Sequence, residues 1–228
     1  MGGRDSLITG NKISGTGQAG IYAVTDGGAA QACQGLVISD NIVVSATGDA
    51  GIRIASVSTA LWRDVIIRGN VVRAAGSYGI RADFAPGVII DGNRISDSAG
   101  GGVLAQECDR AHVTGNSILS AGSNAINIAG CSYGVVNSNL IDGTDSNHGI
   151  AVGASTSPGG NVVVEGNQIR SASNAGIRIT TTGCFVTGNQ VRKDGGTTAS
   201  GVNLSSGATG CVIAGNDLSG NAWAGATA

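Results

Sequence analysis

Short apolar runs recur along this chain at three fixed positions around a repeated asparagine. Around Asn93, for example, the apolar positions are Ile90, Ile95 and Val103, which lie three residues before it, two after it and ten after it. The position three residues before the asparagine is β-branched in every repeat. Gly, Ser and Asn turn residues separate the runs every few positions, and β-branched residues favour strands. Each repeat is therefore predicted to hold three short strands and no helix.

The asparagine itself recurs nine times, at intervals of 22 to 30 residues. The nine are Asn11, Asn41, Asn70, Asn93, Asn116, Asn139, Asn167, Asn189 and Asn216. Repeats of this period indicate a solenoid. In stacked coils each side-chain amide can hydrogen-bond to the asparagines above and below it, and asparagine also tolerates the left-handed backbone of a sharp turn. Whether they form a ladder or are ordinary turn residues, their role is structural.

Three short strands per turn of 22–30 residues are typical of an all-β parallel β-helix. Over residues 7–228 the sequence resembles the right-handed, pectate-lyase-like superfamily, and most of all the β-helical segment of a phage tailspike or of a secreted polysaccharide-active protein. The resemblance implies a single-stranded solenoid of about nine coils, expected to be one domain over residues 1–228. Because no atypical capping repeat is recognisable, we expect this domain to be an excerpt of a longer chain.

Composition and charge remove several classes of function. The formal net charge is −2, so there is no basic stripe for a nucleic-acid partner. No apolar run approaches the roughly 20 residues that span a bilayer, and no signal-peptide pattern stands at the N-terminus. No cofactor motif and no metal-ligand spacing is recognisable, so neither a cofactor nor a metal is expected.

The five cysteines also follow the repeat. Cys33, Cys108 and Cys131 lie eight residues before their asparagine, and Cys184 and Cys211 lie five before theirs. An odd number cannot pair completely within one chain, and cysteine is a small, readily buried residue, so we interpret them as core thiols. Adjacent coils lie about 4.8 Å apart, so disulfides between Cys108 and Cys131 and between Cys184 and Cys211 stay geometrically open.

The position four before each asparagine is also apolar, and strand alternation predicts that it points outward. This apolar stripe comprises Leu7, Val37, Ile66, Ile89, Val135, Val163, Phe185 and Val212, and His112 interrupts it. Such a stripe is larger than the apolar patches that monomers usually expose. We expect self-association through it, as a trimer given the resemblance to tailspikes; the alternative is that loops or flanking sequence cover it.

Outward residues of the third strand, stacked at equal offsets, predict one polar patch over four coils. It comprises Arg53, Arg81, Asp83, Gln106, Glu107 and Asn127, and an insertion carrying Trp62 could overhang it. Asp83 and Glu107 are the candidate catalytic pair, because two carboxylates about 5–5.5 or 6.5–9.5 Å apart can hydrolyse a glycosidic bond. The other residues, Trp62 included, are candidate substrate-binding groups, since arginine forks onto sugar carboxylates. The alternative is a surface ion pair between Arg81 and Asp83 with little effect.

A second candidate is the segment that holds Asp142, Asp145 and His148. Two carboxylates and an imidazole within seven residues could serve acid–base chemistry, although a solvated polar turn has the same composition. Family motifs argue against an enzyme assignment. Asn147-His148-Gly149 and Gly176-Ile177-Arg178-Ile179 are only partial echoes of polygalacturonase motifs, and the Asp-Pro-His of alginate epimerases is absent, so the family's catalytic residues cannot be carried over to this sequence.

These features favour a β-helical stalk or binding segment of an extracellular or virion tail protein that engages bacterial surface polysaccharide. Two alternatives stay open. The first is a fragment of a polysaccharide lyase, glycoside hydrolase or epimerase, and the second is a structural spacer without a ligand.

Overall fold

The fold of the chain was established with a computed structural model that describes residues 4–25, 33–56, 61–153, 155, 159–192 and 200–219. The described residues contain 26 short β-strands and no α-helix. The first thirteen are β1 (Arg4–Thr9), β2 (Lys12–Ser14), β3 (Ile21–Val24), β4 (Cys33–Ser39), β5 (Ile42–Val44), β6 (Ile52–Ala55), β7 (Trp62–Arg63), β8 (Ile66–Arg68), β9 (Val71–Arg73), β10 (Ile80–Asp83), β11 (Ile89–Asp91), β12 (Arg94–Ser96) and β13 (Val103–Gln106). The others are β14 (His112–Thr114), β15 (Ser117–Ala121), β16 (Ile126–Ala129), β17 (Val135–Asn137), β18 (Leu140–Thr144), β19 (Ile150–Gly153), β20 (Val163–Glu165), β21 (Gln168–Arg170), β22 (Ala175–Ile179), β23 (Phe185–Thr187), β24 (Gln190–Arg192), β25 (Ser200–Leu204) and β26 (Val212–Ala214).

The strands stack into three parallel sheets that run the length of the molecule. Sheet A joins β1-β4-β8-β11-β14-β17-β20-β23-β26, with β7 paired to β4. Sheet B joins β2-β5-β9-β12-β15-β18-β21-β24, and sheet C joins β3-β6-β10-β13-β16-β19-β22-β25. This confirms the parallel solenoid with three strands per coil. The described residues complete eight such coils and begin a ninth with β26, so the expected count of about nine is slightly high.

The core is a set of apolar columns in which one coil lies directly over the next. Ile67, Ile90 and Val113 are register partners in sheet A, and all three are completely buried. Sheet B has the column Val72, Ile95 and Ile118. Sheet C has the column Ile80, Val103 and Ile126. Equal sequence offsets therefore become vertical columns, as the repeat predicted.

The asparagines form a continuous ladder along the turn between sheets A and B. From Asn11 to Asn216, each side-chain Nδ2 donates to Oδ1 of the next asparagine at 2.9–3.0 Å. The same Oδ1 also accepts the backbone N–H of the preceding asparagine. Asn41 to Asn189 are buried, so the ladder satisfies backbone and side-chain groups that water cannot reach.

The left-handed turn residue is the one before the asparagine, and not the asparagine itself as expected. Gly69 has φ 63°, Gly92 has φ 61°, and Asp40 and Ser138 take φ 58° and 55° at the same position. Glycine tolerates this conformation without a steric penalty. The asparagine can then follow with its side chain turned inward to the ladder.

All five cysteines are free thiols, as interpreted from the sequence, and Cys108, Cys131 and Cys184 are buried. The Sγ atom of Cys131 accepts the backbone N–H of Cys108 at 3.1 Å, so these two thiols continue a column in the same way as the asparagines. Burial, the neighbouring Cys131 thiol and the Asp83 charge raise the pKa of Cys108, although a backbone N–H from Ala85 opposes the shift.

The apolar stripe points outward from sheet A, as alternation predicted. Ile89, Phe185 and Val212 are 38%, 47% and 46% exposed, and the intervening Val135 and Val163 are half-buried. His112 is exposed within the stripe. The inward neighbours Ile90, Val136, Val164 and Val186 belong to the core, whereas Ile213 at the end of sheet A is 39% exposed.

Candidate functional site

The outward face of sheet C carries most of the polar side chains proposed from the sequence. One column of register partners comprises Tyr22, Arg53, Arg81, Leu104, Asn127, Ala151, Arg178 and Asn203. The column two residues further on comprises Val24, Ala55, Asp83, Gln106, Ala129 and Gly153. With coils about 4.8 Å apart, seven steps from Tyr22 to Asn203 span roughly 34 Å. This face, called the sheet C track below, is long enough for several sugar units.

Arg53, Arg81 and Asp83 form a compact ion-pair cluster on the track. Nε of Arg81 donates to both carboxylate oxygens of Asp83, at 2.8 and 3.0 Å, and Nη2 of Arg53 lies 3.8 Å from Oδ2. Arg53 also pairs with Asp49 at 2.5 Å and stacks over the ring of Tyr22, 5.5 Å from its centroid. Asp83 is 6% exposed, so its carboxylate orients two arginines and is not open to solvent.

Glu107 is directed away from Asp83. It follows the end of β13 in a left-handed conformation with φ 54°, and its carboxylate lies against Gly130 of the next coil, where a Cβ would come within 2.4 Å of Oε1. Asp83 is engaged by arginines of its own and the preceding coil. The two carboxylates proposed as a catalytic pair are thus held in different surroundings.

Trp62 does not overhang the track as expected, because its side chain is buried in the core and 6% exposed. Strand β7 pairs with β4, and Trp62 is the register partner of Cys33. A different insertion reaches the track: Ser155, which follows β19, accepts a hydrogen bond from Nε2 of Gln106 at 3.3 Å. This contact bridges from the sixth coil to the fourth.

A cavity of about 280 Å³ opens on the track beside that contact. It exists because Ala129, Ala151 and Gly153 project little or nothing outward, while larger residues flank them. Its described lining comprises Asn124, Asn127, Ala129, Asn147, His148, Ala151, Val152, Gly153, Arg178 and Thr180. The cavity is slightly below the size of about 300–1,000 Å³ usual for small-molecule sites, which suits a single sugar ring.

His148 is the most constrained polar group of this cavity. It is 3% exposed, its backbone N–H donates to Oδ1 of Asn124 at 3.2 Å, and its Nδ1 accepts the backbone N–H of Ala175 at 3.2 Å. Its Nε2 lies 3.4 Å from Nη1 of the exposed Arg178. Burial, together with the charge of Arg178, lowers the pKa of His148 to about 4, so the imidazole is neutral near pH 7.

The second candidate segment is divided by the fold. Asp142 lies on the outward side of β18 in sheet B, as the register partner of Leu119 and Arg170. Asp145 is exposed in the following turn, and only His148 reaches the cavity. The chain turns from sheet B to sheet C between these residues. The sequence grouping therefore missed the actual partners of His148, which are Asn124, Ala175 and Arg178 from adjacent coils.

Two other kinds of site are absent from the described residues. No group of three or more His, Cys, Asp or Glu side chains is arranged to hold a metal ion in that part of the chain. No helix there is long and apolar enough to cross a membrane.

Solved structures with this fold include proteins of several kinds. The catalytic unit of a thermostable GH87 alpha-1,3-glucanase from Streptomyces thermodiastaticus strain HF3-3 superposes with a TM-score of 0.75 at 17% identity, over 97% of this chain and 45% of the glucanase unit. An alginate lyase from Paenibacillus sp. str. FPU-7 gives 0.61 at 17%, over 97% and 91%. The receptor binding domain of the Siphovirus 9NA tailspike gives 0.62 at 10%, over 97% and 46%. At such identities the likeness establishes the fold, and this chain spans less than half of the glucanase unit.

No curated protein sequence matches the chain significantly. The sequence profile described as "Right handed beta helix region" matches residues 50–221. This range covers most of the repeats, and the profile describes the right-handed coil that the resemblance implied. The chain therefore belongs to the right-handed β-helix family.

Proposed function

We propose that the chain is a β-helical segment that binds polysaccharide along the sheet C track. The observation that carries the proposal is the cavity at Asn127, His148 and Arg178, set in a face that continues through Arg81, Arg53 and the exposed Tyr22. Amides, hydroxyls and guanidinium groups can hydrogen-bond to sugar hydroxyls and carboxylates. An exposed tyrosine offers a face on which a sugar ring can stack.

Binding is favoured over glycoside hydrolysis at this site. Hydrolysis uses two carboxyl groups that flank the scissile bond, whereas the described lining of the cavity has no carboxylate. Asp83 is locked by two arginines, and Glu107 lies over Gly130. If the chain is an enzyme, these surroundings therefore favour a lyase or an epimerase over a hydrolase that uses Asp83 and Glu107 as its catalytic pair.

Within this proposal the segment acts outside a cell or at a virion tail, where polysaccharide is met. The tailspike receptor binding domain and the alginate lyase with the same fold support this setting. The proposal also includes self-association through the apolar stripe, as a trimer. Exposed Ile89, Phe185 and Val212 on one sheet support it, because burying them between copies removes apolar surface from water.

The function is tested with a panel of acidic and neutral bacterial polysaccharides in affinity electrophoresis and calorimetry. Ala151→Phe fills the cavity from its floor, where Ala151 lies between Asn127 and Arg178 in register. Ser117→Phe, a small outward residue of sheet B, is the matched control. We expect binding by the wild type and the Ser117 variant and its loss in the Ala151 variant.

If both variants bound polysaccharide equally well, the sheet C track would not be the binding surface. Absence of binding by the wild type to every polymer would refute the proposed function and leave the spacer. New reducing ends or unsaturated sugars would establish the enzyme alternative. For the stripe, light scattering of the wild type and of Phe185→Ser tests association: a wild type that is monomeric at all concentrations refutes the trimer.

A further inference from the structure

The ring of His148 faces two donors that a neutral imidazole cannot both accept, and the shorter of the two contacts indicates its tautomer. Its Nδ1 accepts the backbone N–H of Ala175 at 3.2 Å, so this nitrogen carries no proton. A neutral imidazole protonates one of its two nitrogens, and here that must be Nε2. The neutral form follows from burial, since His148 is 3% exposed, and from the cation beside it.

This tautomer places two donors face to face. Nε2 of His148 lies 3.4 Å from Nη1 of Arg178, and a guanidinium nitrogen can only donate. The pair therefore cannot hydrogen-bond to each other, and among the described residues no acceptor is recorded for the His148 Nε2–H. A buried donor without an acceptor costs free energy. Both N–H groups lie at the cavity, so an acceptor placed there would satisfy both.

We infer that this cavity binds the anionic oxygen group of an acidic glycan, either a uronate carboxylate or a sulfate ester, through Arg178 and the Nε2–H of His148. The inference rests on the proposed function, because it names the class of sugar that the sheet C track takes. One anionic oxygen between the two nitrogens replaces a donor–donor contact with two charge-assisted hydrogen bonds, and the bond from Arg178 also has a charged donor.

The surroundings of the pair select for a single negative charge. Arg178 is the one charged residue in the described lining, and Asn124, Asn127, Asn147 and Thr180 supply neutral polar groups. The pKa of His148 is lowered to about 4, first by burial and then by Arg178, so His148 adds a donor without adding a second cation. With no carboxylate in the described lining, nothing there repels an anion.

The tautomer is tested first, by ¹⁵N NMR of histidine-labelled protein at pH 7. His112→Gln identifies the His148 signals, because the chain has two histidines. We expect the Nε2–H form. An Nδ1–H form or an imidazolium would overturn the inference, since Nε2 could then accept from Arg178 or the site would carry two cations.

Ligand binding is then followed at the same resonances. The probes are methyl glycosides of galacturonate, glucuronate, mannuronate and guluronate, the uncharged methyl esters of the same sugars, and methyl galactoside 6-sulfate. We expect at least one anionic sugar to shift His148 Nε2 and its uncharged ester to leave it in place. Comparison of uronates with the sulfate identifies the source of the anion, and no shift with any anionic probe overturns the inference.

Three variants separate local recognition from general electrostatics. Arg178→Gln should weaken binding of the active anionic probe about 10–100-fold, the range of a charge-assisted hydrogen bond. His148→Asn keeps an acceptor for the Ala175 N–H and deletes the Nε2–H, so we expect about a 3–10-fold loss. Arg170→Gln makes the same charge change on sheet B of the same coil and should leave binding unchanged.

Equal losses with Arg170→Gln and Arg178→Gln would overturn the inference in favour of net charge. The failures of the two proposals are distinguishable. If the wild type binds a neutral polysaccharide and the Ala151→Phe variant does not, while no anionic sugar reaches His148, the proposed function stands and the inference falls. If anionic sugars shift His148 but no polysaccharide binds, the cavity takes an anion and the proposed function falls.

Discussion

The asparagine ladder makes a quantitative prediction for the replacement of one central member by alanine. Oδ1 of Asn116 accepts both the backbone N–H and the Nδ2–H of Asn93 at 3.0 Å. Its Nδ2 donates to the carbonyl oxygens of Ile90 and Thr114 at 2.9 and 3.0 Å and to Oδ1 of Asn139 at 3.0 Å. Asn116 is 1% exposed, so water cannot replace these partners without the coils separating.

Asn116→Ala removes the partners of at least one buried N–H and one buried carbonyl. Each buried group left unsatisfied costs about 1–3 kcal/mol, and the space vacated by the amide adds a cavity cost. We therefore expect the free energy of unfolding to fall by about 3–5 kcal/mol. Because coils are stabilised by their neighbours, the break could also divide the cooperative unit, which would lower the denaturant m-value.

Urea denaturation followed by circular dichroism measures this loss, with two controls on the same chain. Asn11→Ala truncates the exposed end of the ladder, where the side chain donates to Thr9 and Asn41, and should cost about 1 kcal/mol. Asn174→Ala changes an exposed asparagine outside the ladder and should cost less than about 0.5 kcal/mol. If Asn116→Ala matched Asn174→Ala, the ladder would be a consequence of the fold and not a source of its stability.

Three further predictions concern the thiols, the buried histidine and the turn glycines. Three of the five thiols are buried, so no more than two should react with Ellman's reagent in the native protein, and all five should react in urea. Burial also raises the pKa of Cys184 to about 11, which strengthens its protection. Fewer than five reactive thiols in urea would indicate disulfides. Burial and then Arg178 lower the pKa of His148 to about 4, so folding stability should fall as the pH drops from 6.5 towards 4, by up to about 3 kcal/mol. His148→Asn should flatten this pH dependence. Parallel stability-versus-pH curves for the wild type and the variant would contradict the prediction. A Cβ on Gly76 would lie 2.0 Å from the Thr47 carbonyl oxygen, so Gly76→Ala should destabilise by at least about 2 kcal/mol, whereas Gly17→Ala, with open space around it, should change the unfolding midpoint little.

The fold was predictable because one offset rule applies throughout the chain. A residue's distance from its asparagine indicates its sheet and its direction: Arg81, Leu104 and Asn127 each lie eleven residues after an asparagine and are register partners. Arg53 lies twelve residues after Asn41, so its pairing with Arg81 follows from the Gly-Ile pair that precedes both arginines. The same rule was available for Trp62. It lies eight residues before Asn70, the offset of Cys33 from Asn41, and this column is buried at Trp62 and Cys108. Trp62 was predicted to be a binding residue because it is aromatic, whereas its offset from Asn70 indicated a position in the core.

Other parts of the site depend on how far a side chain reaches, which the offset does not specify. Asp83 stands in an outward column but is covered by the two arginines that it binds. The contact between Gln106 and Ser155 crosses a whole coil, since Gln106 belongs to the fourth coil and Ser155 follows the third strand of the sixth. Coil stacking sets backbone positions, and the length of side chains and insertions then decides which groups meet.

Small residues create the cavity, and such residues carry no chemical signal that would mark a site in the sequence. Along the sheet C track, Ala151 and Gly153 are shorter than the side chains that flank them, and the depression that they leave is lined by the buried His148 from the turn that leads into the same strand. His148 is held there by the backbone N–H of Ala175 from the next coil. In the tautomer inferred above, that bond leaves the proton on Nε2, the nitrogen that meets Arg178. An acceptor atom placed at this point would satisfy both N–H groups, and the proposed anionic glycan would supply one.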